Sequence, residues 1–95
     1  MKKNDVTLQE ALTAMLKEYK LSTRLNEVRI KSLWADIMGK TISTYTTELE
    51  VHRQTLYVTI LSAPLRQELS YARETIRQRM NEALGEDFLK DVVIR

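Results

Sequence analysis

Two glycines and one proline stand among 95 residues, and that scarcity constrains the fold more than any other feature of the sequence. These are the residues that let a backbone turn sharply or that stop a regular element. A chain with so few of them must spend most of its length in long helices and strands joined by short connections. Gly39 and Gly85 are isolated from one another, so no Gly-rich phosphate-binding loop can be built. There is no cysteine, which removes disulfides, thiolate metal sites and cysteine catalysis together.

Composition narrows the class further. With 43% hydrophobic and 29% charged residues the chain is too apolar for disorder, and it lacks the run of about 20 apolar residues that a membrane span needs. Its length suits one domain, residues 1–95, with an efficient core. Met1-Lys2-Lys3-Asn4-Asp5 leads straight into an amphipathic segment with no apolar signal region, which predicts a cytoplasmic protein without membrane contact. The formal net charge is +2, so any affinity for nucleic acid must come from where the charges sit. Residues 21–40 hold 4 basic and 2 acidic side chains, the one segment with a clear excess, whereas residues 63–95 hold 6 of each.

Periodicity sets the order of elements. Leu8, Leu12, Met15, Leu16 and Tyr19 recur at helical spacing, and Asp5 or Thr7 can cap that helix. From Thr7, Glu10 completes a capping-box pattern. Leu21-Ser22-Thr23 reads as a break, and a second helix is predicted from Arg24 to Met38, with Ile30, Leu33, Trp34, Ile37 and Met38 on one arc and Gly39 as its stop. Lys40 to Thr46 adds a further turn. Glu48 to His52 and Thr55 to Leu61 then alternate as strands around an Arg53-Gln54 hairpin turn, burying Leu49, Val51, Leu56, Val58 and Ile60. Ser62-Ala63-Pro64 starts a last helix that runs to Leu84 on a stripe of Leu65, Leu69, Ala72, Ile76, Met80 and Ala83, and Gly85 ends it. Asp91 to Arg95 closes the chain as a strand parallel to the second. The expected fold class is α+β, a two-layer α-α-β-β-α-β domain whose helices cover one face of a three-stranded mixed sheet.

Catalytic equipment is absent from the pattern. His52 is the single histidine, at a strand end, with no partner for a metal or a nucleophile, and reads as a solvated turn residue. Glu48 and Glu50 share a strand face but fall far short of the oxygen set a hard cation needs, so neither a metal nor an organic cofactor is expected. The basic residues say more. Arg66, Arg73 and Arg77 fall on one flank of the last helix, and Arg24 and Lys31 lie seven apart on the second, arrays that could track phosphates. The bland alternative is that they reach out from the core edge and pair with carboxylates. Trp34 lies on an apolar arc and reads as a core anchor, while Tyr57 points to the outer sheet face with Thr55 and Thr59.

Trp34-Ala35-Asp36-Ile37-Met38-Gly39, then Ile42 with Tyr45-Thr46, is similar to the tryptophan-to-glycine signature of the bacterial DciA-like family, operators of the replicative helicase once grouped as a domain of unknown function. Leu56 to Ile60, Ser62 to Leu69, Met80 to Gly85 and Val92 to Arg95 match that family's later strands and helices in order, so the resemblance covers residues 24–95. It implies a K-homology-like fold, single-stranded or duplex DNA and the replicative helicase as partners, and a non-enzymatic part in DNA replication and helicase loading. Two departures are visible. The chain shows no basic extension beside the domain, and the turn Arg53-Gln54 lacks the usual glycine. No GXXG loop is present either, so DNA contact must use side chains. The candidates for phosphate contact are Arg24, Lys31, Arg66, Arg73 and Arg77, with Lys40 and Arg53 in lesser roles. The alternative function is a protein–protein interaction module, such as a homodimer, that pairs through a strand edge or the outer sheet face without touching DNA. A metal-dependent nuclease would need converging carboxylates that Glu48 and Glu50 do not supply.

Overall fold

The computed structural model describes residues 7–95. Thr7 caps the first helix, its Oγ1 accepting from Glu10 N–H at 3.0 Å while its own N–H donates to Glu10 Oε1 at 2.8 Å. Both donors would otherwise be orphaned at a helix start. The alternative cap, Asp5, lies outside the described residues. Helix α1 then runs without interruption over Leu8–Met38, 31 residues. The break expected at Leu21-Ser22-Thr23 does not occur. Serine and threonine lower helix propensity by only a few tenths of a kcal/mol each, about 0.5, and neither removes a backbone donor, so the hydrogen-bond ladder passes through them.

Gly39 is what ends α1. Its φ of 92° and ψ of 166° lie in a region that side chains with a Cβ avoid, and its N–H closes the last turn on Ala35 O at 2.9 Å. Helix α2 (Lys40–Tyr45) follows directly, the extra turn that Ile42 and Tyr45 foretold. Strand β1 (Thr46–His52) starts two residues earlier than its alternation indicates, with an irregular register between Thr46 and Glu48. It pairs antiparallel with β2 (Thr55–Ile60). Arg53 and Gln54 make the turn with φ of 51° and 63°, the doubly left-handed geometry that tight hairpins favour and that glycine or asparagine usually supplies.

On β2 the alternation holds: Leu56, Val58 and Ile60 are fully buried, and Tyr57 looks to the other face. Leu49 and Val51 on β1 are only half-buried, because β1 is an edge strand that α1 and α2 cover incompletely. Ser62 caps helix α3 (Ala63–Tyr71), with Pro64 in the first turn as expected. The single helix predicted to Leu84 is instead two. At Ala72 (φ −105°, ψ 15°) the axis breaks, and α4 (Arg73–Leu84) begins afresh. No glycine or proline sits there. Tertiary packing sets the break, since α3 lies against β2 and β3 while α4 turns to lie against α1 and β3.

Gly85 (φ 82°) terminates α4 in the left-handed conformation, donating to Asn81 O at 2.9 Å. Strand β3 (Asp91–Ile94) joins β2 in parallel, giving a mixed sheet of order β1-β2-β3. This is the α+β architecture of long helices on a small sheet that the period change implies. Ile30, Trp34, Ile76 and Met80 from the helices meet Leu56, Val58, Ile60 and Val92 from the sheet in one core. Phe88 and Leu89 complete it from the irregular segment before β3. The part of α1 before Asn26 stands apart from this body: Leu8, Leu12, Met15, Leu16, Tyr19 and Leu25 are each more than half exposed.

Candidate nucleic-acid interface

A phosphate contact needs a cationic head group that is exposed and not already spent. By that standard the candidate residues divide. Arg66 is half-buried and donates from Nη1 to Ile60 O at 2.6 Å, closing the end of β2. Arg77 is the most committed. It binds the Glu74 carboxylate through Nε at 3.0 Å and Nη2 at 2.5 Å, and Nη1 reaches Asp87 Oδ1 and Leu89 O, both at 3.3 Å. These hydrogen bonds hold the Glu74 carboxyl below its ordinary range and raise the Arg77 guanidinium above its own. Arg73 is exposed, its Nε donating to Ser70 O at 3.1 Å, a carbonyl left open by the break at Ala72. Because the helix breaks at Ala72, Arg66 on α3 no longer shares one straight flank with Arg73 and Arg77 on α4. Each serves a different local acceptor.

Arg24, Lys31, Lys40 and Arg53 are all exposed. Lys40 opens α2, and Arg53 projects from the hairpin turn at the far end of β1. Arg24 and Lys31 gain company once α1 is continuous. Lys17, Lys20, Arg24 and Lys31 follow at intervals of 3, 4 and 7, which at 3.6 residues per turn confines them to an arc of about 60° over about 21 Å of helix. None of the four takes part in an ion pair among the described residues. Lys17, Lys20 and Arg24 border an open trough of about 320 Å³ floored by Leu16 and Leu21. Lys31 edges a shallower one of about 250 Å³, where Glu48 and Trp34 also stand. Periodicity alone does not group Lys17 and Lys20 with Arg24, because a helix split at Leu21 gives them no fixed angle to it.

The other residues singled out by the sequence lie elsewhere. Trp34 is 1% exposed, and its indole Nε1–H donates to Thr46 Oγ1 at 3.0 Å, which in turn donates to Ile42 O at 2.7 Å. It is a core anchor with its one polar atom satisfied. Tyr57 lies on the outer sheet face, with the Arg95 guanidinium 4.9 Å above its ring. His52 is exposed at the end of β1, and Glu48 and Glu50 are exposed along it. No group of three His, Asp or Glu among the described residues is placed to hold a metal ion. No described helix is long and apolar enough to cross a membrane.

Two contacts that periodicity does not reveal fix α1 to the body. Arg29 donates to Leu84 O at 3.3 Å and to Ala83 O at 3.2 Å, capping the C-terminus of α4 with a charge of the right sign. Buried Asn26 donates to Glu86 Oε2 at 3.2 Å. The direction of the basic face is therefore set by the body's own packing.

No curated protein and no solved structure matches the chain. One family model does, over residues 7–94, almost the whole length and including all of the basic face and the core. Its description is "Dna[CI] antecedent, DciA", and on that match the chain belongs to the DciA family.

Proposed function

We propose that this chain is a non-enzymatic adaptor of the replicative helicase that holds DNA weakly, through phosphate contacts along one face of α1. Membership of the DciA family gives it a helicase-loader-related role in replication. The observation that carries the finer reading is the basic arc of Lys17, Lys20, Arg24 and Lys31 on a helix that leans away from its own body. Four cations in line along about 21 Å suit a nucleic-acid backbone, which repeats its phosphates every few ångströms. Lys40, Arg53 and Arg73 are exposed on other elements and stand as secondary phosphate contacts. Arg66 and Arg77 contribute less, because their guanidinium groups already serve carbonyls and carboxylates of the fold. Nothing in this arrangement reads a base edge, so binding is expected to follow charge and not sequence.

Fluorescence anisotropy with single-stranded and duplex oligonucleotides across a salt series tests this. Micromolar binding is expected, with a slope of log affinity against log salt near −3 to −4 on duplex for about four contacts. Replacing Lys17, Lys20, Arg24 and Lys31 by glutamate should abolish binding and leave the thermal transition of the body in place. Unchanged affinity in that variant would move DNA off α1.

A protein-only module is the second reading, and one observation favours it: the face of α1 opposite the basic arc is apolar and uncovered along Leu8 to Tyr19. Absence of DNA binding at low salt, with the helicase still captured, would select it.

A further inference from the structure

The apolar side of the projecting arm is ordered in a way that a general sticky surface would not be. Leu8, Leu12, Met15 and Tyr19 follow at intervals of 4, 3 and 4, the alternation that keeps one seam of a helix facing a partner helix. Their exposures are 77%, 55%, 64% and 59%, and Leu16 at 53% flanks them. The seam stops at Ser22. Its next position, Asn26, is buried and bound to Glu86 of the same body. The usable stretch is thus short and bounded on both sides, by the capped start at Thr7 and by the body.

We propose that this seam takes a second copy of the same chain, the two arms packing antiparallel over residues 8–19. In that register Leu8 stacks on Tyr19 of the second copy and Leu12 on its Met15, and each pair occurs twice about a two-fold axis. All four layers are then apolar. Glu18, the one charged residue beside the seam, comes opposite Ala11 of the second copy and meets no like charge. The parallel arrangement would crowd both bodies at one end. Antiparallel packing instead opposes the helix dipoles and sends the bodies to opposite ends.

The basic residues fit the same geometry. Lys17 and Arg24 lie diametrically away from the seam and Lys20 well to its side, so pairing brings no cations together. With flanking Leu16, the exposed side chains offer on the order of 600 Å² per copy, at the lower edge of the range around roughly 800 Å² per partner of a standard specific interface. A reversible dimer is the expected result.

Sedimentation velocity on the full chain over about 1–200 µM reads it directly, with mass rising from 11.1 kDa toward twice that value. The variant L12E/M15E should stay monomeric throughout while keeping the thermal unfolding of the body. Orientation has its own test, because the chain has no cysteine. Leu8→Cys mixed with Tyr19→Cys should cross-link under mild oxidation, and neither variant alone should. Wild-type protein that is monomeric at the highest concentration would overturn the proposal. So would an L12E/M15E variant that dimerises normally, Leu8→Cys that cross-links to itself, or a monomeric chain whose L12E/M15E form fails to bind the helicase. That last result would assign the seam to the helicase.

Discussion

Trp34 shows how one side chain can join three elements. Its ring fills the space between α1 and the sheet, and its indole N–H reaches Thr46 where α2 passes into β1, on the hydroxyl that also closes onto Ile42. Trp34→Ala removes a large buried ring and leaves the Thr46 hydroxyl without its donor, so unfolding free energy should fall by about 3–5 kcal/mol, read by denaturant titration. Trp34→Phe keeps most of the volume and should lose clearly less. A well-folded Trp34→Ala with DNA affinity lost would instead place the ring at the interface. Asn81 plays a comparable part with polar groups: its side chain accepts from Leu89 N–H at 2.8 Å and donates to Leu89 O at 3.0 Å, pinning the segment that carries Phe88 and Leu89 into the core. Neither Phe88 nor Leu89 shows in the sequence pattern, because they sit between a helix and a strand where no period applies. Their burial follows from the Asn81 clamp, a contact across 8 positions.

At the level of elements, the boundaries that glycine controls were legible and those that packing controls were not. Gly39 and Gly85 stop α1 and α4 where a positive φ is required, and the hairpin at Arg53-Gln54 closes where the alternation restarts. Ser22 and Thr23 suggest a break, yet their propensity deficit is too small to interrupt a helix that is capped at Thr7 and anchored at Asn26 and Arg29. The reverse error occurs at Ala72, a good helix former on which the axis breaks because α3 and α4 have different neighbours. Both errors bear on the candidate interface. Joining the first two helices creates the basic arc from Lys17 to Lys31, and splitting the last one separates Arg66 on α3 from Arg73 and Arg77 on α4. The same reasoning predicts the effect of Gly39→Ala. A Cβ there would meet no atom within 4 Å, so the penalty is conformational alone, from φ of 92° with ψ of 166°. Stability should drop by about 1–3 kcal/mol. Full wild-type stability would mean that the junction of α1 and α2 relaxes freely and does not set the direction of α1.

The whole molecule is far from spherical. Its radius of gyration is 17.4 Å and its extents are 64 × 20 × 20 Å, whereas a compact chain of this length has a radius near 12 Å. The excess is the arm of α1, and most of a helix's stability in a protein comes from tertiary packing, which the arm lacks. Residues 26–38 draw stability from the core through Asn26, Ile30 and Trp34, but the turns before them have only their own ladder and the Thr7 cap. One continuous helix should therefore have two stabilities. In dilute solution, amide hydrogen exchange at residues 12–22 should run at least about 100-fold faster than at residues 30–38, a difference of about 3 kcal/mol in local opening. The contrast also separates what covers the arm. If two arms pair, protection of residues 12–22 rises with protein concentration, because each copy is the other's ligand. If phosphates bind the basic arc, protection rises with added oligonucleotide at fixed protein and falls again with salt. Uniform protection along α1 at the lowest concentration would show that the arm is held by its own chain, and both surfaces would then have to be sought on the body.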